Sequence, residues 1–183
     1  MGRKHIDRRA FLRNATLASL SLTGGARAGA AAGAGSQSRS LSLIHTHTGE
    51  RLNETYFDVN GYVSEALGRV NRFLRDFRSD EVHPIDVRTL DILHDLQAMT
   101  GHEAPYEIIS GYRSPQTNAA LRRNSTGVAE HSFHMQGRAI DVRLAGFSTS
   151  QLHALARSMR RGGVGFYPRS DFVHLDSGPV RFW

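Results

Sequence analysis

The side chains best suited to bind a metal or move a proton fall into two short segments framed by apolar residues. The first runs Ser132-Phe133-His134-Met135-Gln136-Gly137-Arg138-Ala139-Ile140-Asp141, the second Phe172-Val173-His174-Leu175-Asp176. Asp141 sits in a stretch that alternates as a strand, with Ala139, Asp141 and Arg143 on one face and Ile140, Val142 and Leu144 on the other. A carboxylate among such neighbours needs a partner, because an unpaired buried charge is costly, and metal or arginine are the obvious ones. Two imidazoles and one carboxylate, His134, Asp141 and His174, supply the three protein ligands of a catalytic zinc and leave one position for water. The same residue types also fit an ordinary hydrogen-bonded core cluster, and spacing does not separate the two. Asp176 lies two residues after His174, hence on the same strand face, where it can orient the imidazole or act as a base. The chain has no cysteine, so thiolate ligands, thiol nucleophiles and disulfides are excluded.

The elements that must position these residues read as α+β. Leu41 to Ile44 predicts a strand, and Thr48-Gly49-Glu50 a turn into a second strand over Arg51 to Phe57, making a hairpin. From Tyr62 to Phe77 apolar residues recur at helical spacing, and from Asp86 to Met99 they do so again, with Asp86 as N-cap and Gly101 as the stop. Tyr106 to Ile109 is a short strand, after which Pro115 opens a helix to about Leu121. Residues 122–137 are polar and read as a long loop of the kind that is often functional. Arg138 to Leu144 is a strand, Ser148 caps a helix to Arg161 that Gly162-Gly163 ends, and Val164 to Tyr167 and Phe172 to Asp176 are strands around a turn with Pro168. His83, His94 and His102 read as surface or packing residues, and His45, His47 and His131 as loop histidines outside the ligand set.

The formal charge of +6 over 183 residues invites a nucleic-acid reading, but its distribution argues against one. Six basic residues, from Arg3 to Arg27, stand against Asp7 alone in the first 28 positions, and the rest of the chain is nearly balanced and holds no lysine. Residues 1–35 form a basic start, a mildly apolar run from Ala10 to Leu22 and a Gly/Ala tract, the layout of an export signal. Within it, Asp7-Arg8-Arg9-Ala10-Phe11-Leu12-Arg13 resembles a twin-arginine signal. The apolar run is too short and too polar to span a membrane, so it reads as an address and not an anchor. Ala26 and Ala28 offer a cleavage site, although Ala28 with Ala30 and later pairs would serve as well.

The segment S-x-H-x-x-G-x-A-x-D followed by a strand histidine resembles the zinc site of the M15 peptidases, the D-Ala-D-Ala carboxypeptidases and LAS-type murein peptidases. His45-Thr46-His47-Thr48-Gly49-Glu50, the Gly162 to Pro168 stretch and the ending Gly178-Pro179-Val180-Arg181-Phe182-Trp183 are similar to the YcbK/DUF882 branch, which includes an exported murein endopeptidase. The resemblance implies a hedgehog/DD-peptidase-like α+β fold, residues 36–183, with a small antiparallel sheet carrying the zinc site and packed by helices. It implies Zn2+ on His134, Asp141 and His174. Arg113, in Ser110-Gly111-Tyr112-Arg113-Ser114, matches the family arginine that holds the substrate carbonyl or carboxylate, the alternative being a salt bridge to Asp141 or Glu107. Related peptidases place an acid three residues before the second zinc histidine, where this chain has Asp171. Asp171 is therefore a candidate general base beside Asp176, or else a turn residue after Pro168. Ser132 and Gln136 are expected to help shape the site. The implied activity is hydrolysis of peptidoglycan peptide cross-links in the periplasm, after export by the twin-arginine machinery. A D,D-carboxypeptidase and a zinc-stabilised cell-wall-binding domain are the rivals.

Overall fold

The computed structural model describes residues 38–125 and 127–183; the expected export signal, residues 1–35, lies outside the described residues. Alternation builds the first hairpin: Leu41, Leu43 and His45 of β1 (Arg39–His45) point into the core, and β2 (Arg51–Asp58) returns antiparallel, with Leu43 opposite Leu52. A short strand, β3 (Gly61–Tyr62), then pairs with β2. α1 (Ser64–Phe73) is shorter than its apolar periodicity predicts, because Asp76 draws the chain into a turn. The Asp76 carboxylate accepts the amide of Arg78 and both the amide and the hydroxyl of Ser114, bonds that compete with a further helical turn.

α2 (Val87–Thr100) starts and stops as expected: Asp86 accepts the amide of Arg88, and Gly101 takes the left-handed conformation at φ +63°. After β4 (Tyr106–Ser110), α3 (Pro115–Asn124) opens with Ser114 as its cap and runs past the expected end at Leu121. The polar stretch predicted as a loop closes with a 3-10 helix, Phe133–Gln136, capped by Ser132 and ended by Gly137 at φ +63°. Glycine is required there twice over, since a Cβ at residue 137 would also stand 2.1 Å from the Pro84 carbonyl oxygen. β5 (Ala139–Leu144), α4 (Thr149–Met159), β6 (Gly163–Tyr167), β7 (Phe172–Asp176) and β8 (Arg181–Phe182) complete the described chain. α4 ends before the predicted glycine stop, with Arg160 in the left-handed cap at φ +51°.

The α+β class is as expected. The sheet is larger than predicted and mixed: eight strands in the order β3-β2-β1-β4-β5-β7-β6-β8, with β1 parallel to β4 and β6 parallel to β8. α2 and α4 pack on one face of it, over Ile140, Val142, Val173 and Leu175, which are all buried. Strand alternation therefore sends Asp141, His174 and Asp176 to the other face. Among the described residues no helix is long and apolar enough to cross a membrane.

Candidate metal centre

Strand register assembles the centre from residues far apart in the chain. Asp141 on β5 stands opposite His174 on β7, and His174 stands opposite Gly165 on β6. His134 arrives from the 3-10 helix, which is tied to the segment after β4: Arg113 donates its amide to the His134 carbonyl at 3.2 Å, and His134 Nδ1 donates to the Gly111 carbonyl at 2.7 Å. The result is a tight triangle. His174 Nδ1 lies 2.8 Å and His134 Nε2 3.3 Å from Asp141 Oδ1, and the two ring nitrogens are 3.3 Å apart. All three residues are buried, and they are the one group among the described residues able to hold a metal ion.

The outward hydrogen bonds fix what the inward atoms present. Gly111 O is only an acceptor, so His134 Nδ1 carries the proton and Nε2 turns a lone pair inward. His174 Nε2 donates to Asp176 Oδ2 at 3.0 Å, which leaves Nδ1 to face the Asp141 carboxylate. Outer partners of this kind, one carbonyl and one carboxylate, are how metal-ligating imidazoles are held in orientation. A tetrahedral ion at about 2.0–2.1 Å from each donor needs donors about 3.3 Å apart, so the triangle has the right size. Electrostatics agree. Burial pushes His134 down and keeps it neutral. Burial alone would raise Asp141, but the groups bonded to it outweigh burial and hold that carboxyl well below the usual range. Burial pulls His174 down, but its bonds to Asp141 and Asp176 push it up, so a proton and a cation compete for Nδ1.

Arg113 is brought to this centre. Its Nε donates to Ser110 Oγ at 2.8 Å and its Nη2 to Asp141 Oδ2 at 2.5 Å, so the salt bridge that stood as the alternative reading is formed. The guanidinium still lines the cleft, a cavity of about 700 Å³ in front of the three donors. Ser132 is also on its wall, accepting the His134 amide, whereas Gln136 is turned to Arg138.

The two base candidates part company. Asp176 is buried behind His174, with Oδ2 on the imidazole and both oxygens bridged to Arg181 at 3.0 and 2.6 Å. It faces away from the open side of the centre and acts on His174. Asp171 is not brought in at all. It occupies a left-handed turn position at φ +51°, is 61% exposed, accepts from the Thr149 hydroxyl and lies 3.5 Å from Arg143. Of the two readings held for Asp171, the structure places it as a turn residue, with its carboxylate turned toward β5 and the start of α4 and outside the lining of the cleft. Among the described residues no carboxylate except Asp141 lines the cleft.

Residues to which the sequence assigned no part in the site also line it, namely His131, Tyr167, Arg181 and Trp183. The signal for the last two was the glycine spacing on β6. A Cβ at Gly163 would stand 2.3 Å from Asp176 Oδ2 and 2.4 Å from Arg181 Nη1, and one at Gly165 would stand 2.6 Å from the Trp183 ring. Glycines on β6 thus let side chains of β7 and β8 touch across the strand between them.

Fold and site together define an α+β sheet with a buried His/Asp/His group able to hold a metal ion. Residues 33–183 match the family model Peptidase_M15_2, described as peptidoglycan L,D-endopeptidase MepK, and the chain belongs to that peptidase family. It is 47% identical over 137 residues to the peptidoglycan L,D-endopeptidase MepK of Escherichia coli strain K12, covering 75% of each chain. It is 42% identical over 138 residues to the probable peptidoglycan L,D-endopeptidase MepK of Haemophilus influenzae, covering 75% of this chain and 74% of that one.

Proposed function

We propose that this protein is an exported, zinc-dependent murein endopeptidase that hydrolyses peptide cross-links of peptidoglycan, and that His134, Asp141 and His174 hold the zinc. The observation that carries the reading is the convergence of these three donors at tetrahedral spacing on one cleft. The names of the relatives support peptidoglycan as substrate and a bond joining L- and D-centres as the target. Export to the periplasm by the twin-arginine machinery rests on the Arg8-Arg9-Ala10-Phe11-Leu12 motif.

When bound, zinc supplies polarisation of the scissile carbonyl and activation of water near neutral pH. The protein's own groups do the rest. Gly111 and Asp176 hold the two imidazoles in the tautomers that ligation requires. Arg113, anchored by Ser110 and Asp141, offers the remainder of its guanidinium to a developing oxyanion or to a stem-peptide carboxylate.

The test is digestion of purified murein with metal content measured in parallel. The parent is expected to bind one zinc and release cleaved cross-linked muropeptides, to lose activity to a chelator and to regain it with zinc. His134→Ala is expected to lose both metal and cleavage. Equal cleavage by parent and variant refutes the zinc assignment, release of free D-alanine with cross-links intact makes the enzyme a carboxypeptidase, and metal binding without cleavage makes it a wall-binding domain.

A further inference from the structure

Trp183 is the sole tryptophan of the chain and remains 49% exposed, yet its position is held at several points. Phe166 donates its amide to the Trp183 carbonyl at 3.0 Å, and Trp183 donates its own amide to Val164 at 3.2 Å. The indole Nε1 donates to the Tyr167 hydroxyl at 2.9 Å, and the Arg181 guanidinium lies 4.9 Å from the ring centroid. Gly165 lies close under the ring, where no Cβ would fit. Register explains the placement. Asp141, His174 and Gly165 form a row across β5, β7 and β6, and Trp183 continues that row from β8 into the gap the glycine leaves. Its centroid is 5.2 Å from that of His174, and it lines the same cleft.

A fixed aromatic face left half in water carries the entropy cost of ordering without the full gain of burial. That gain is completed only when something flat or apolar lies on the exposed side. On the cleft wall next to His174, the molecule that would lie there is the substrate. Arg113 borders the centre at its other two members, His134 and Asp141, so a peptide across the centre meets Arg113 at one flank and the indole, with Arg181 beside it, at the other.

We propose that Trp183 is a substrate-contacting, specificity-determining residue, its indole stacking on the peptide plane and aliphatic portion of a murein stem peptide at the His174 side of the scissile bond. This rests on the murein-peptidase reading. The contact is made in the ground state and in the transition state alike, so it acts mainly on KM.

The test uses Trp183→Ala and Trp183→Phe in the full chain, with purified muropeptide dimers as substrate and metal content and melting temperature measured for each variant. The alanine variant is expected to raise KM about tenfold with kcat within about threefold, and phenylalanine to recover most of the loss. Metal content stays at the parent level. Tryptophan emission reads the contact directly: titration of the chelated parent with the dimers, where nothing is cut, gives a saturable change. An unchanged KM in Trp183→Ala, emission that stays flat well beyond KM, or a defect fully accounted for by lost metal or lost folding overturns the proposal. A parent that leaves murein uncut overturns the peptidase reading and this one with it. A parent and a Trp183→Ala variant that cut equally well overturn the role of the indole alone.

Discussion

His134 and His174 each commit one ring nitrogen to a fixed acceptor, and that commitment leaves the other nitrogen facing Asp141, where it is able to serve as a ligand. The same logic separates two aspartates that look equivalent on paper. Asp176 lies at the end of β7 with its carboxylate closed around by His174, Arg181 and the amides of Gly163 and Gly178. Burial alone would raise its pKa, but these bonds outweigh burial and hold it far below the usual carboxylate range, so it stays an anion and keeps His174 Nε2 protonated. Asp171 occupies a turn and bonds to α4. Asp171→Asn, which the left-handed backbone accepts, is expected to leave kcat/KM for murein within about twofold. Asp176→Asn is expected to weaken zinc binding by about tenfold to a hundredfold, as read by metal titration. The reverse ranking would return the base role to Asp171 and remove Asp176 as the partner of His174.

Among the elements, β6 shows how absent side chains organise a site. Gly162-Gly163 reads from sequence as a helix stop, but Arg160 already ends α4. The glycines provide room instead: a Cβ at Gly162 would fall 1.8 Å from the Asp176 carbonyl oxygen, and one at Gly163 would fall into the Asp176–Arg181 pair. Gly163→Ala is expected to cost about 1–3 kcal/mol in denaturant unfolding, as overpacking does, and to lower zinc affinity by displacing Asp176. Gly68, exposed on α1 with open space around its Cβ position, is the control. Gly68→Ala is expected to stabilise the protein by about 0.5–1 kcal/mol and to leave zinc affinity alone. Equal behaviour of the two variants would mean that backbone freedom, and not space beside Asp176, explains the glycines of β6.

For the whole molecule, stability depends on a histidine remote from the chemistry. His45 is buried at the end of β1 against Phe73 and Phe77, its Nδ1 accepts the His47 amide, and its Nε2 has no partner. Burial, with a smaller push from His47, lowers its pKa from 6.5 to about 4. Between those values the unfolded chain takes up a proton that the folded chain refuses, so stability falls as pH drops through that window, by at most roughly 3 kcal/mol. In metal-free protein, denaturant unfolding between about pH 7 and about pH 4 should show this slope in the parent and a flatter one in His45→Phe. Parallel slopes would remove His45 from the acid sensitivity of the fold. Much of this molecule was legible in one dimension. His134, Asp141 and His174 stood out by residue type and by the family resemblance, while the strand alternation that puts two of them on one face and the caps at Asp86 and Gly101 follow from short-range periodicity and backbone preference. The two-residue strands β3 and β8, the reach of Trp183 and Arg181 to β7, and the places that Asp171 and Asp176 take did not. Pairing register across a sheet sets which side chains meet, and register is a property of several strands at once that no local pattern within any one of them contains.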